Sequence, residues 1–473
     1  MRADIVVVGS GTAGTAAALQ AAELARDRGT SLEIRVLEKA PEAEWGGNSR
    51  WTTANMRMQD EETLAPNFEA DLFEASRGKT DQRLIRAFVE GIPGALRWAR
   101  SHGVNFEQRP RSFGMIHRVP RIGPNGGGLA LISALRDQAE RLGVRFFFET
   151  TAWKLCLDGE GNVEGVWVRG PEGDSSKILA RAVILCCGGF EGNLEMLSRY
   201  LGPEAANLRP DVPSTRWNSG DGILMGMELG AQFAGEFGGY HGSIADARPE
   251  ARRRRPRPVV NCWPYGILVN RLGRRFVDEG MGTISEAFER VSWAIRQQPF
   301  NEAFVILDQK FYRIPHHHRT VESPLPPIQA DSWEELAERI EVPADSLKET
   351  VEAYNRAVQE GEFDPEREDG KRAAGLEPPK SNWALPLDTP PYLCYPVEGT
   401  VQFTWGGLAT DERARVLSRG GVAIRGLYAA GEITGFYYHA YVGGTSVLRA
   451  LVFGRIAGQE AAKFVIKNRG EDR

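Results

Sequence analysis

The sequence predicts an α/β fold in two parts: a parallel-sheet nucleotide-binding domain that is discontinuous in the chain, and an α+β domain inserted into it. Three observations carry this reading. The first forty residues alternate strand, glycine turn, helix and strand. A short apolar strand and a second glycine turn recur near the other end, at Gly426 to Gly435. Between them, proline clusters at residues 249–258, 324–327 and 378–391 bracket a stretch of different texture. The expected division is 1–235 for the first part of the nucleotide-binding domain, 236–385 for the insert and 386–473 for the return.

The opening ADIVVVGSGTAGTAAALQAAELARDRGTSLEIRVLEKA reads as one Rossmann-type β-α-β unit. Gly9 allows the tight turn, Gly11 lets backbone approach a pyrophosphate, and Gly14 lets helix and strand pack closely, with Thr12 and Ala13 at the helix start. The second strand ends at Glu38, followed by Lys39. An acidic residue in that place accepts a ribose hydroxyl and repels a 2′-phosphate. In the insert, WEELAERIEVPADSLKETVEAYNRAVQEG (Trp333 to Gly361) predicts two amphipathic helices around Pro343, and Glu362 to Gly375 predicts a polar loop.

Composition excludes several classes. A chain of 473 residues with 42% hydrophobic content is long enough for more than one domain. A net charge of -5 gives no broad basic footprint, so nucleic acid is not an expected partner. The basic run Arg252 to Arg255 reads as a solvated loop. Five cysteines without C-x-x-C spacing predict reduced thiols in a cytoplasm, with no disulfide framework, metal site or c-type haem. The run His316 to His318 lacks partner ligands and reads as a solvated loop, so no metal is expected. With no signal peptide and no apolar run of membrane length, the expectation is a chain that does not span a membrane.

Further motifs follow in order. WGGNSRWTTANMRM (Trp45 to Met58) resembles a glycine-rich flavin loop, carrying Gly46, Gly47, Asn48, Ser49, Thr53 and Ala54. RAVILCCGGFEGN (Arg181 to Asn193) is a buried strand ending in Gly188 and Gly189, with Asn193 beyond, and is similar to an A-T-G-G-F turn. Cys186 and Cys187 stand there as small buried residues. NSGDGILMGMELGA (Asn218 to Ala231) resembles a T-G-D-G-x-x-M turn with Asp221 in the acidic place, and GLYAAGEITG resembles a second FAD fingerprint with Gly431 and Glu432. Together with RVPRIGPNGGGLAL, YGILVNRLGRRFVDEG, TVQFTWGGLATD, FYYHAYVGGT and LVFGRIAG, these resemble the fumarate reductase and succinate dehydrogenase flavoprotein family, which also contains the 3-ketosteroid dehydrogenases. Within it the sequence is most similar to the FAD-dependent tricarballylate dehydrogenases.

The resemblance implies FAD and a CH–CH oxidoreductase: hydride exchange at flavin N5, with a protein group handling the neighbouring proton. FAD is expected to be noncovalent, because Arg50 and Trp51 stand where succinate dehydrogenases carry the attaching histidine. Fumarate is a poor fit. The proton-shuttling arginine of fumarate reductases is replaced by Thr283, a carboxylate-binding histidine by Gln402 and Phe403, and an arginine by Tyr441. His241 falls near another carboxylate-binding histidine of that family. HAYVGG resembles the H-x-Y-P-G-G of tricarballylate dehydrogenases and the H-T-Y-x-G of ketosteroid dehydrogenases, so His439 and Tyr441 are expected to face substrate. Gly443 and Gly444 would open a helix directed at the flavin, with Gly444, Ser446 and Val447 binding the cofactor. Arg57, Arg118 and Arg121 are candidate carboxylate ligands, Arg121 preferred. The expected reaction is α,β-dehydrogenation of a small polycarboxylate, tricarballylate first, with a ketone or ketosteroid dehydrogenase or a fumarate reductase-like enoate reductase as alternatives. Electrons would leave to a separate electron-transfer partner, a quinone or oxygen.

Overall fold

The computed structural model describes residues 1–109 and 119–469. The first sheet starts with β1 (Arg2–Val8), followed by helix α1 (Thr12–Asp27) and β2 (Ile34–Leu37). Helix α2 (Gly127–Arg141) leads to β3 (Arg145–Phe147), and a meander of β4 (Thr151–Leu157) and β5 (Val163–Arg169) leads to the long β6 (Ser175–Leu185). β1 lies between β2 and β6, both parallel to it, and β3 extends the sheet beyond β2. A strand flanked by parallel neighbours with both faces covered needs a continuous apolar run, and Ile5 to Val8 supply one.

The second sheet is antiparallel except for the short strand Arg209–Pro210, which pairs parallel with the end of its central strand. It contains β7 (Ile244–Asp246), β8 (Ile267–Asn270), β9 (Glu302–Asp308), β10 (Ile328–Ala330) and β11 (Tyr392–Val401). The order is β7-β11-β9-β8, with β10 also on β11. The central strand β11 follows the last proline cluster in sequence. Helix α3 (Ile284–Arg296) packs on this sheet and begins with a capping box, in which Thr283 and Glu286 satisfy each other's backbone donors. The two helices around Pro343 are Trp333–Arg339 and Ala344–Ala357.

The chain then returns to the first sheet. β12 (Arg415–Leu417) pairs antiparallel with β13 (Ala423–Ala429), and β13 pairs parallel with β6. The last described element is α4 (Ser446–Asn468), which lies against α1. The two helices meet at backbone distance: a Cβ at Gly454 would sit 2.5 Å from the Ala13 carbonyl oxygen, and one at Gly458 would sit 2.1 Å from that of Ala17. Gly458→Ala forces the helices apart, and we expect a loss of about 1–3 kcal/mol, the usual scale of overpacking. Thermal unfolding measures this as a lowered midpoint; an unchanged midpoint contradicts the packing.

Candidate functional site

A cavity of about 470 Å³ is lined by the first glycine turn, the flavin-like loop, the start of α4, helix α3 and segments that flank the second sheet, among them His241, Arg257 and Gln402. At the first turn the backbone leaves no room for side chains. Gly9 has φ +100°, and a Cβ on it would meet the Cys186 carbonyl oxygen at 2.4 Å; one on Gly14 would meet the Gly9 oxygen at 1.9 Å. The start of α1 is thereby held open towards the cavity. The Thr12 N–H donates to Ser49 Oγ at 3.0 Å, while Thr12 Oγ1 is buried without a partner. A helix N-terminus with such a free hydroxyl suits a phosphate group.

Glu38 is fixed by the Ser10 N–H (3.1 Å) and hydroxyl (2.5 Å) and by the Ala40 N–H (2.9 Å). Lys39 Nζ donates to Asp221 Oδ2 at 2.9 Å and to Ser219 Oγ at 2.5 Å, which ties the second strand to the acidic turn. Gly11, Ala13, Gly46, Gly47, Asn48, Ser49, Thr53, Gly188, Gly431, Glu432, Gly444, Ser446 and Val447 also line the cavity. Gly14, Ala54, Gly189 and Asn193 do not. Gly14 and Gly189 are filled by backbone and side-chain neighbours, Asn193 caps the helix Leu194–Leu201, and Ala54 is buried.

Behind Gly189 two carboxyls meet: a Cβ there would lie 2.2 Å from Glu432 Oε1 and 2.9 Å from Glu191 Oε2. Asn48 Nδ2 (2.7 Å) and Asn218 Nδ2 donate to Glu191 Oε1, and the Thr404 N–H donates to Glu432 at 2.9 Å. Burial, and then the Glu432 charge, push Glu191 well above the usual carboxylate range; burial pushes Glu432 up too. The pair therefore keeps a proton. Cys186 and Cys187 line the cavity as unpaired thiols, and burial pushes Cys187 up to about 12, which suits packing and not redox chemistry.

At the other end stand Arg121, His241, Phe288, Gln402, Phe403 and Tyr441. The Tyr441 hydroxyl is not left free for a substrate. It accepts the N–H groups of Gly444 (3.1 Å), Thr445 (3.2 Å) and Ser446 (3.2 Å) and donates to Ser446 Oγ (3.0 Å), so it caps the start of α4. His439 does not line the cavity. Its backbone sits at φ +60°, its N–H donates to Glu236 at 2.6 Å, and its Nδ1 is 3.9 Å from the same carboxylate. Arg57 pairs with Asp71, and Arg118 lies outside the described residues.

Several lining or supporting groups of this end are not marked in the sequence. Asp211 accepts from Gln402 Nε2 at 2.5 Å, and Glu289 binds His241 Nδ1. Arg257 and Arg252 both grip Glu398, Arg252 at 2.6 Å, so the basic run is partly a structural clamp. No local pattern marks these residues, because their partners come from distant segments. No set of three or more His, Cys, Asp and Glu side chains suited to a metal occurs among the described residues, where no helix is long and apolar enough to cross a membrane.

The FAD binding domain family model matches residues 4–448. The chain belongs to that family. This flavoprotein is similar to a probable fumarate reductase of Shewanella frigidimarina, 28% identical over 480 residues that cover 98% of this chain and 75% of the relative. Its structure is similar to the open conformation of a flavocytochrome c3 fumarate reductase, with TM-score 0.76 and 26% identity over 98% of this chain and 79% of the other. It is also similar to a 3-ketosteroid-Δ4-(5α)-dehydrogenase of Rhodococcus jostii, with TM-score 0.70 and 26% identity over 98% and 97%. The chain is an FAD-dependent oxidoreductase of the fumarate reductase family, acting on C=C and CH–CH bonds. The glycine cradle and the unpartnered Thr12 hydroxyl fit that cofactor.

The carboxyl pair gives a pH test with a definite sign. Folded, Glu191 and Glu432 hold a proton that ordinary carboxyls, at about 4.5, release in the unfolded chain. Their contribution is full below that value and is lost as pH rises through the folded pair's range. Glu191→Gln keeps the amide oxygen for Asn48 and Asn218 and offers Glu432 a permanent donor. Its thermal midpoint should gain on the wild type between roughly pH 5 and 8, the span over which carboxyls held neutral are penalised. A difference independent of pH contradicts the shared proton.

Proposed function

We propose that the chain interconverts the saturated and α,β-unsaturated forms of a small carboxylate held by Arg121. Arg121 carries the reading. Its guanidinium lines the cavity, its Nε is buried without a partner, and no ion pair to it is found among the described residues. Loss of water holds it below the ordinary arginine range, with Tyr441 and Arg57 as smaller influences. A desolvated cation without a counter-charge is costly, and a bidentate carboxylate removes that cost. Gly443 makes room for it, since a Cβ there would lie 3.1 Å from Arg121 Nη2.

In this reading Gly9 to Gly14, Glu38, Lys39, Gly46 to Ser49, Asp221, Gly431, Glu432 and the start of α4 hold FAD without a covalent bond. FAD supplies the hydride acceptor or donor. The second sheet and α3 act as the substrate cap, and the far end of the cavity excludes water around the substrate. The motifs favour dehydrogenation, with tricarballylate as the first polycarboxylate to test; the name of the Shewanella relative favours reduction of an enoate. Electrons pass to a separate protein partner, a quinone or oxygen. A second reading, a cyclic ketone, is supported by the ketosteroid dehydrogenase likeness and by the rings of Phe288, Phe403 and Tyr441 around His241.

Anaerobic mixing tests both readings. Tricarballylate or another saturated carboxylate should bleach the flavin, or an unsaturated carboxylate should reoxidise the dithionite-reduced form. Arg121→Gln should raise the half-saturating concentration roughly 10- to 100-fold, the scale of a lost hydrogen bond to charge. Bleaching by cyclic ketones alone, unaffected by Arg121→Gln, contradicts the carboxylate assignment.

A further inference from the structure

The reaction needs a proton carrier, and neither the position of the fumarate reductase arginine nor the His439–Tyr441 segment supplies one to the cavity. Thr283, standing in the place of the fumarate reductase arginine, is the N-cap of α3. His439 lies outside the cavity lining, and the Tyr441 hydroxyl is bound by three N–H groups and Ser446. The same helix that Thr283 caps presents Glu289, a carboxyl that is 7% exposed. One of its oxygens binds His241 Nδ1, and the other accepts the Tyr441 N–H at 3.3 Å.

His241 itself is held on several sides. Its backbone pairs with Phe403, and its ring lies 4.9 Å from the ring of Phe403, 5.2 Å from that of Phe288 and 4.7 Å from that of Tyr441. With Nδ1 tied to Glu289, Nε2 is the nitrogen left for the cavity that the residue lines. A carboxylate on Nδ1 fixes the tautomer and stabilises the imidazolium when Nε2 takes a proton.

We infer that His241 is the proton-transferring residue of this site and that Glu289 is its positioning residue. In the dehydrogenation direction, the proton on the carbon next to the carboxylate leaves for His241 Nε2, and the electron pair of that C–H bond becomes the new C=C bond. Bound FAD would supply the acceptor for the hydride of the adjacent carbon and its electron pair, and the reverse reaction would return both. Burial pushes Glu289 above the usual carboxylate range, opposed by its bond to His241, so its charge depends on that partner. The titratable groups facing the imidazole are Glu289 from α3, Tyr441 from the loop before α4, and Asp211 beside Gln402.

The inference rests on the carboxylate reading, and the test separates the two. FAD-loaded wild type, His241→Gln, Glu289→Gln and Glu289→Asp are compared by anaerobic single-turnover mixing with the best substrate of the panel. Binding of an unreactive dicarboxylate, malonate, is followed separately by perturbation of the flavin spectrum. His241→Gln should slow hydride transfer about 100-fold, the lower range for loss of an acid–base group, while FAD content and malonate binding stay as in wild type. Glu289→Gln should lower kcat without changing KM and alter the shape of the pH–rate profile, and Glu289→Asp should recover part of the rate. Wild-type rates in His241→Gln and Glu289→Gln overturn the inference and leave the carboxylate reading intact. Loss of malonate binding in His241→Gln with the rate kept at saturation also overturns it, by making His241 a ligand. A wild type that binds no malonate and reacts with no carboxylate overturns the underlying reading.

Discussion

Backbone contact between α1 and α4 fixes where the C-terminal helix begins. Ala13 and Ala17 on one helix and Gly454 and Gly458 on the other set the crossing, and Gly431 packs against Ala13 from the adjoining turn. The first turn of α4 is thus placed on the same cavity as the first turn of α1, although more than four hundred residues separate them. Two helix N-termini on one cavity concentrate positive partial charge there. One end has the partnerless Thr12 hydroxyl, and the other has its N–H groups satisfied by Tyr441.

Charge is distributed unevenly around this cavity, and that unevenness separates scaffold from site. Arg57, Arg252 and Arg257 each have a carboxylate partner, and Lys39 is held by Asp221. Arg449 is occupied by the carbonyl and hydroxyl oxygens of Thr434. Arg121 is left for an incoming anion by the described residues. The protein's own carboxylates hold Arg57, Arg252 and Arg257 in place, and a carboxylate entering the cavity can give Arg121 the same kind of partner.

The nucleotide half is legible in the sequence because its signals are local. Gly9, Gly11, Gly14 and Glu38 lie within one β-α-β unit, and the steric reason for each glycine follows from its place in that unit. The far end is not legible in the same way. His241, Glu289 and Tyr441 come from a short bridge strand, a helix of the second layer and the loop before α4, and only the assembled fold brings them together. His439 and Tyr441 look like a pair in the sequence because they are two residues apart. The left-handed backbone at His439 turns it to Glu236, whereas Tyr441 is drawn in by the unsatisfied N–H groups of α4. The basic run at 252–255 conceals a clamp on Glu398 for a similar reason, since its partner strand lies far along the chain.

The most direct measurement is a crystal structure of the FAD-loaded protein with malonate bound. A malonate carboxylate should lie against the Arg121 guanidinium within reach of the His241 ring, with Glu289 still on Nδ1. A malonate bound elsewhere, or Arg121 turned onto a carboxylate of the protein itself, would contradict it.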